Sequence, residues 1–234
     1  MSNKVAIVTG ASQGLGEGIA RGYRDRGWRV VGVSRSIAPA DEADWFTVAG
    51  DVADPATAKA VVAQAVGRFG RVDTLVNNAG VFIGEAFTDY SEDQYRRIIA
   101  TNLDGFFHMT RQALPVMLAS GCGHVVQIVT TLAEHANAEF PSVLASLTKG
   151  GLAAATRSLA IEYAARGIRA NAVSPGIMET PMHPPETRAG LGRYHPLGRM
   201  GTVADVVQAV LYLEDASFIT GEILHVDGGQ VAGH

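Results

Sequence analysis

The sequence predicts an α/β fold, a doubly wound parallel sheet built as one domain. Three observations carry this expectation. Short β-branched runs alternate with longer helical patterns, which is the sequence form of repeated βαβ units. The runs are almost entirely apolar, as strands become when helices cover both faces of a sheet. The first run ends in a glycine-rich turn that opens a helix. At 234 residues the chain can bury one large core, and a second domain is not expected.

The elements are expected in the following order. A strand at about 4–9 leads through the glycine turn into a helix at about 16–26, then a second strand at about 29–33 and a third at about 46–48. The helix Pro55–Phe69 carries proline in its first turn, where a missing N–H is harmless, and Asp54 supplies a cap. Strand Thr74–Asn77 follows. Helical patterns cover about 91–103 and 105–120, then a strand about 124–130, a helix about 142–165 and a sixth strand about 169–173. From 177 to about 201 the chain is rich in Pro, His, Gly and Arg and has no clear period, which suggests a substrate lid. A helix at about 203–212 and the strand Ile223–Val226 complete the order.

Composition narrows the function classes. With 19 Lys+Arg against 23 Asp+Glu the net charge is −4 and no basic cluster stands out, so nucleic acid is not an expected partner. Every apolar run is broken well short of the ~20 residues of a membrane span. A lone Cys122 cannot form an internal disulfide, and Met1-Ser2-Asn3-Lys4 runs into an apolar strand without signal-peptide architecture; a cytoplasmic protein is expected. No metal-ligating set is expected. Two biases stand out: 27 glycines, and only three lysines, Lys4, Lys59 and Lys149.

The chemistry begins at Thr9-Gly10-Ala11-Ser12-Gln13-Gly14-Leu15-Gly16. In such a strand-to-helix turn any Cβ would block the approach of backbone to a pyrophosphate, while free N–H groups and the positive helix end favour the anion. The Gly-x-x-x-Gly-x-Gly spacing differs from the Gly-x-Gly-x-x-Gly fingerprint. Further along stand Asp51-Val52, Asn77-Asn78-Ala79-Gly80, Asn102, Lys149, Ser174-Pro175-Gly176 with Thr180, and Val226-Asp227-Gly228-Gly229. In order and spacing this series resembles the short-chain dehydrogenase/reductase family of the classical type, over essentially the whole chain.

The resemblance implies a Rossmann fold with a seven-stranded parallel sheet between helix layers, a nicotinamide dinucleotide at the carboxyl ends of the strands, and a small-molecule carbonyl/alcohol substrate. It implies that Gly10, Gly14 and Gly16 form the pyrophosphate turn, lined by Ser12, Gln13 and Leu15. Asp51 would bond the adenine amino group with Val52 beside it. Asn78, Ala79 and Gly80 would pack along the adenosine ribose, with Asn77 and Asn78 tying neighbouring strands. Pro175, Gly176, Ile177 and Thr180 would hold the carboxamide. At the end of the second strand stands Ser34, where a carboxylate would select NAD(H), and the following Arg35 suits a 2′-phosphate; NADP(H) is favoured and NAD(H) is the alternative. The helices at about 105–120 and 142–165 would pair between subunits of a homodimer or homotetramer.

The resemblance also implies a catalytic group of Asn102, a strand-end hydroxyl at Thr130 or Thr131, Lys149, and a tyrosine four residues before that lysine. Four residues apart on a helix is one face, and the lysine cation would lower the phenol's pKa and hold ribose hydroxyls. Here the sequence departs, because the residue four before Lys149 is Ala145. Three explanations compete: an engineered inactivation, a natural lineage that lost catalysis, or transfer of the proton role to another group. Candidate substitutes are Ser142, Ser146, Glu134, His135, His183, Tyr194, His195, or a water held by Lys149 and Thr130. The expected function is an NAD(P)(H)-dependent oxidoreductase of weak or restricted activity; the alternative is a non-catalytic dinucleotide-binding pseudoenzyme or sensor subunit.

Overall fold

The computed structural model describes residues 4–233, and the Met1-Ser2-Asn3 start lies outside them. Seven strands form one parallel sheet: β1 (Val5–Thr9), β2 (Arg29–Ser34), β3 (Trp45–Ala49), β4 (Thr74–Asn77), β5 (Gly123–Ile128), β6 (Ile168–Pro175) and β7 (Ile223–Val226). Their order across the sheet is β3-β2-β1-β4-β5-β6-β7. Six α-helices accompany them among the described residues: α1 (Gly14–Asp25), α2 (Pro55–Phe69), α3 (Glu92–Ile99), α4 (Gly105–Ser120), α5 (Val143–Tyr163) and α6 (Val203–Asp215).

Strand side chains point alternately to the two faces, and β1 shows the consequence. Val5 and Ile7 enter a core with α2, α4 and the end of α5, while Ala6 and Val8 enter a second core with α1 and α6. All five β1 residues are buried, which is why the sequence offers an unbroken apolar run rather than alternation. The chain winds outward from β1 to β3 and then returns to place β4 on the other side of β1. At that reversal the connections leave the two strands toward opposite faces, so a crevice opens at their carboxyl ends.

Local signals set most boundaries. The Asp54 carboxylate accepts the Ala56 N–H at 2.9 Å to start α2, and Gly70, at φ 77°, ends it. Helices α3 and α6 each begin with a reciprocal capping box, Ser91 with Gln94 and Thr202 with Asp205. The expected helix at 91–103 is instead cut short at Ile99, and residues Ala100–Asp104 form one π-helical turn before α4. Periodicity alone does not report a single widened turn. Segment 177–201 contains two 3-10 turns, Pro185–Thr187 and Leu191–Tyr194. Its two ends are zipped together, with the Gly201 N–H on the Ile177 carbonyl at 3.0 Å and the Glu179 N–H on the Gly201 carbonyl at 2.8 Å.

At the amino ends of the strands a buried polar network joins the sheet to α1 and α6. The Glu214 carboxylate accepts from Tyr23 Oη (3.0 Å), Thr74 Oγ1 (2.8 Å) and His124 Nδ1 (3.0 Å). Asn171 Oδ1 accepts the Glu222 N–H and its Nδ2 donates to the Ile219 carbonyl, so Nδ2 also faces His124 Nε2 as a donor. That orientation makes Nε2 the acceptor and leaves the histidine proton on Nδ1, aimed at Glu214. Burial pushes the His124 imidazole below its ordinary pKa. Burial alone would raise the Glu214 carboxyl, but the bonds from His124, Thr74 and Tyr23 hold it below its ordinary value. Replacing Glu214 by Leu strands three buried donors, and we expect a loss of about 3–5 kcal/mol in chemical denaturation. An unchanged midpoint would mean that the network contributes nothing net.

Candidate active site

The crevice at the carboxyl ends of the strands is a cavity of about 420 Å³. Along its floor β1 passes into the glycine turn, where Gly10 (φ 66°) and Gly14 (φ 59°) adopt left-handed backbone. Gly16 is excluded from change for another reason: a Cβ there would stand 2.2 Å from the Gly10 carbonyl oxygen and 2.5 Å from Asn78 Nδ2. Helix α1 starts at Gly14 without a side-chain cap, and Glu17 is the only acid of its first turn. Its first N–H groups are therefore left for an anion from outside.

Strand ends β1 and β4 are tied across this floor. Thr9 Oγ1 accepts both the Asn78 and Ala79 N–H groups at 3.0 Å, and Asn78 Nδ2 donates to the Thr9 carbonyl at 2.9 Å. Asn77 instead donates to Thr110 Oγ1 of α4, so it links strand to helix, where a strand-to-strand tie was expected of both asparagines. Gly80 is bare where Lys149 passes: a Cβ would meet Nζ at 3.1 Å.

Gly16 packs beneath the turn and does not line the cavity; the other expected cofactor residues do: Ser12, Gln13, Leu15, Ser34, Arg35, Asp51, Val52, Ala79, Pro175, Gly176, Ile177 and Thr180. Ser12 and Ser34 share a hydrogen bond at 3.0 Å, and Arg35 stands 3.9 Å from Asp51 with its guanidinium largely in solvent. Asp51 also closes its own turn on the Ala53 N–H.

On the opposite wall stand Thr130, Ala145 and Lys149. Ala145 is 5% exposed, one helical turn before Lys149 on α5. Lys149 Nζ donates to the Ile128 carbonyl at 2.7 Å. No ion pair to a carboxylate forms among the described residues, and desolvation pushes its ammonium down to about 8. Asn102 sits behind this wall in the π turn, 2% exposed. Its Oδ1 accepts the Val81 N–H at 2.8 Å, and Nδ2 donates to the Val81 carbonyl and to Thr148 Oγ1, both at 3.1 Å.

The two strand-end threonines separate clearly. Thr131 donates its hydroxyl proton to Gln230 Oε1 at 2.9 Å, deep in the protein. Thr130 Oγ1 accepts the Leu132 N–H and so keeps its own proton for the cavity.

Most of the proposed substitutes for a phenol are committed elsewhere. Ser146 Oγ donates to the Leu132 carbonyl at 2.7 Å, and Glu134 pairs with His225. Tyr194 bonds Glu139 and packs edge-on against Phe140 with ring centroids 4.7 Å apart. His195 accepts the Ile177 N–H, and neither it, Ser142 nor His135 lines the cavity. His183 does line it, half-buried, with burial and then Arg188 pushing its imidazole below the ordinary value. Sequence reasoning did not single out the apolar lining, Phe82, Leu132, Phe140, Met178 and Met182, although both methionines fall in the expected lid, and it missed Ser36 and Gln230. Only Ser36, beside Ser34 and Arg35, carried a local signal.

A family model described as enoyl-(acyl carrier protein) reductase matches residues 10–230. The chain belongs to the short-chain dehydrogenase/reductase family. It is 37% identical to the 3-oxoacyl-(acyl-carrier-protein) reductase FabG of Salmonella typhimurium over 97% of this chain and 96% of that protein. Identity to the 2-(R)-hydroxypropyl-CoM dehydrogenase of Xanthobacter autotrophicus is 38%, over 98% and 99%. Among solved structures, a 3-ketoacyl-(acyl-carrier-protein) reductase of Brucella melitensis complexed with NADH superposes with a TM-score of 0.90 at 32% identity, covering 97% and 98% of the two chains. ElxO with NADP bound gives 0.91 at 29%, covering 98% and 99%. The family's oxidoreductases thus share the whole fold with this chain.

The Gly16 contacts generate a prediction for this family member. Gly16→Ala must push apart Gly10 and Asn78 backbone and side chain, and we expect a loss of about 1–3 kcal/mol in thermal or chemical unfolding. A stability equal to the parent would show that the turn can widen freely.

Proposed function

We propose that this protein is an NADP(H)-dependent oxidoreductase acting on a carbonyl/alcohol pair, with Ala145 standing where the family's tyrosine would transfer the proton. The observation that supports it best is the junction of two parts in one cavity: the uncapped glycine turn on one side and Thr130, Ala145 and Lys149 on the other. The relatives described above, a reductase and a dehydrogenase by name, agree with such a substrate pair.

The residues fit a dinucleotide. Gly10, Gly14 and Gly16 with Ser12, Gln13 and Leu15 would take the pyrophosphate at the open start of α1. Asp51 and Val52 would hold the adenine, and Asn78, Ala79 and Gly80 the adenosine ribose. Pro175, Gly176, Ile177 and Thr180 would orient the nicotinamide end, and Lys149 would hold its ribose. Ser34, Ser36 and Arg35 offer hydroxyls and a cation to a 2′-phosphate, with no carboxylate at the strand end to repel it. When bound, the nicotinamide supplies or accepts the hydride.

The chain then has to move one proton. Thr130 donates its hydroxyl hydrogen to the substrate oxygen and fixes its place. Lys149 releases a proton toward that oxygen across the space in front of Ala145, through one water molecule. Asn102 keeps Val81 and Thr148 in place behind it. Segment 177–201 acts as the lid, and its Met178, Met182 and His183 with Phe82 and Phe140 favour an uncharged, largely apolar substrate body. We further propose a cytoplasmic homodimer or homotetramer with no nucleic-acid or membrane partner, joined through α4 and α5, which leave Phe107, Leu147 and Ile161 exposed. A second reading, a dinucleotide-binding subunit without turnover, draws on the same Ala145.

Three measurements test this. Carbonyl reduction, followed by decay of protein-bound NADPH fluorescence, should fall as pH rises through about 8, where the Lys149 ammonium is lost, and alcohol oxidation should rise. In the same assay Ala145→Tyr should increase turnover about 10²-fold; bound NADPH that no carbonyl oxidises in either protein would favour the non-catalytic reading. Arg35→Ser should weaken NADPH about 10- to 100-fold in a binding titration and leave NADH unchanged. Equal loss for both would remove the 2′-phosphate assignment.

A further inference from the structure

His195 lies just after the 3-10 turn Leu191–Tyr194 on the returning limb of segment 177–201, and it is 2% exposed. Its ring is packed against bare backbone. A Cβ on Gly176 would stand 2.6 Å from Nε2, and one on Gly228 would stand 3.0 Å from the His195 Cβ. Nε2 accepts the Ile177 N–H at 3.0 Å. An amide can only donate, so Nε2 carries no proton and the ring hydrogen is on Nδ1. Nδ1 is itself buried and faces the Arg199 carbonyl without a hydrogen bond of good geometry. The ring leaves one polar atom poorly satisfied and places the other on Ile177, where most buried polar atoms find full partners.

Both main-chain groups of Ile177 are thereby committed within the protein, the N–H to His195 and the carbonyl to the Gly201 N–H. We infer that His195 is a positioning residue for the dinucleotide: its neutral imidazole pins the Ile177 amide, and with it the Pro175-Gly176-Ile177 exit of β6. This inference rests on the reading above in which that exit orients the nicotinamide end.

The bond exists only in one protonation state. A second ring proton would sit on Nε2, directly against the Ile177 N–H, and two donors cannot share a bond. Burial is the main influence and holds the imidazole below its ordinary value. Asp227, from the turn after β7, favours the proton, as does the Arg199 carbonyl, while the Arg199 cation opposes it. The β6 exit contributes only main chain to this contact, at Gly176 and Ile177. The sign follows: the pin is intact at neutral pH and is lost as pH falls below the ordinary histidine range.

Two variants separate the bond from mere filling of space. His195→Gln carries an acceptor to about the position of Nε2; His195→Phe keeps a ring and removes the acceptor. Amide hydrogen exchange at Ile177 in the dinucleotide-free protein and NADPH affinity by fluorescence titration are measured for both and for the parent, from about pH 8 to about pH 5. We expect His195→Phe to speed Ile177 exchange and to weaken NADPH by about ten-fold at neutral pH, with His195→Gln close to the parent. The parent should lose affinity toward low pH and His195→Gln should not. Unchanged exchange and affinity in His195→Phe would overturn the pin while leaving the cofactor reading intact. A parent that binds neither dinucleotide would overturn that reading and the cofactor half of this one, even where exchange responds as expected. Should His195→Phe not fold, the pH comparison of the parent with His195→Gln decides alone: identical profiles overturn the inference.

Discussion

The site depends on a single hydroxyl. Thr9 Oγ1 takes two consecutive N–H groups from the β4 exit, and Asn78 answers by bonding the Thr9 carbonyl. These bonds hold together the two strand ends from which the chain departs toward opposite faces, so the crevice opens above them and not between them. The close approach of Gly10, Gly16 and Asn78 follows from the same tie. Without it, a glycine turn and a lysine wall would have no fixed distance from each other.

Much of this was legible in the sequence because it is written in local rules. Helix α2 begins at Pro55 behind Asp54 and ends before Gly70 as its caps require. The apolar strands reveal a doubly covered sheet, and the glycine spacing reveals the turn. The π turn at Ala100–Asp104 was not legible, because it changes the path of one turn without changing the hydrophobic period. Nor was the choice between Thr130 and Thr131, which rests on Gln230, ninety-nine residues away from Thr131. The apolar lining fell outside sequence reasoning for the same reason: Phe82, Phe140 and Met182 come from separate loops, and no spacing rule connects them.

Ala145 turns this comparison into a chemical question. The wall around it holds a lysine bonded to the Ile128 carbonyl, a threonine that accepts the Leu132 N–H, and behind them an asparagine bonded to Val81 and Thr148. A lysine with a phenol beside it serves mainly as a fixed cation. Here Lys149 is partly buried with its Nζ on the Ile128 carbonyl, and desolvation pushes its ammonium down to about 8, which is what makes it the proton source in the proposed reaction.

The Glu214 network lies at the amino ends of the strands, and the cavity at their carboxyl ends. One end of the sheet anchors the molecule through long-range polar bonds from α1, β4, β5 and α6, while the other carries the loops that line the cavity. Substitutions in those loops do not draw on the same interactions that hold the helix layers to the sheet. This separation gives the chain room to vary what lines its cavity at little risk to whether it folds, so a small residue such as Ala145 on the cavity wall costs the anchoring end of the sheet nothing.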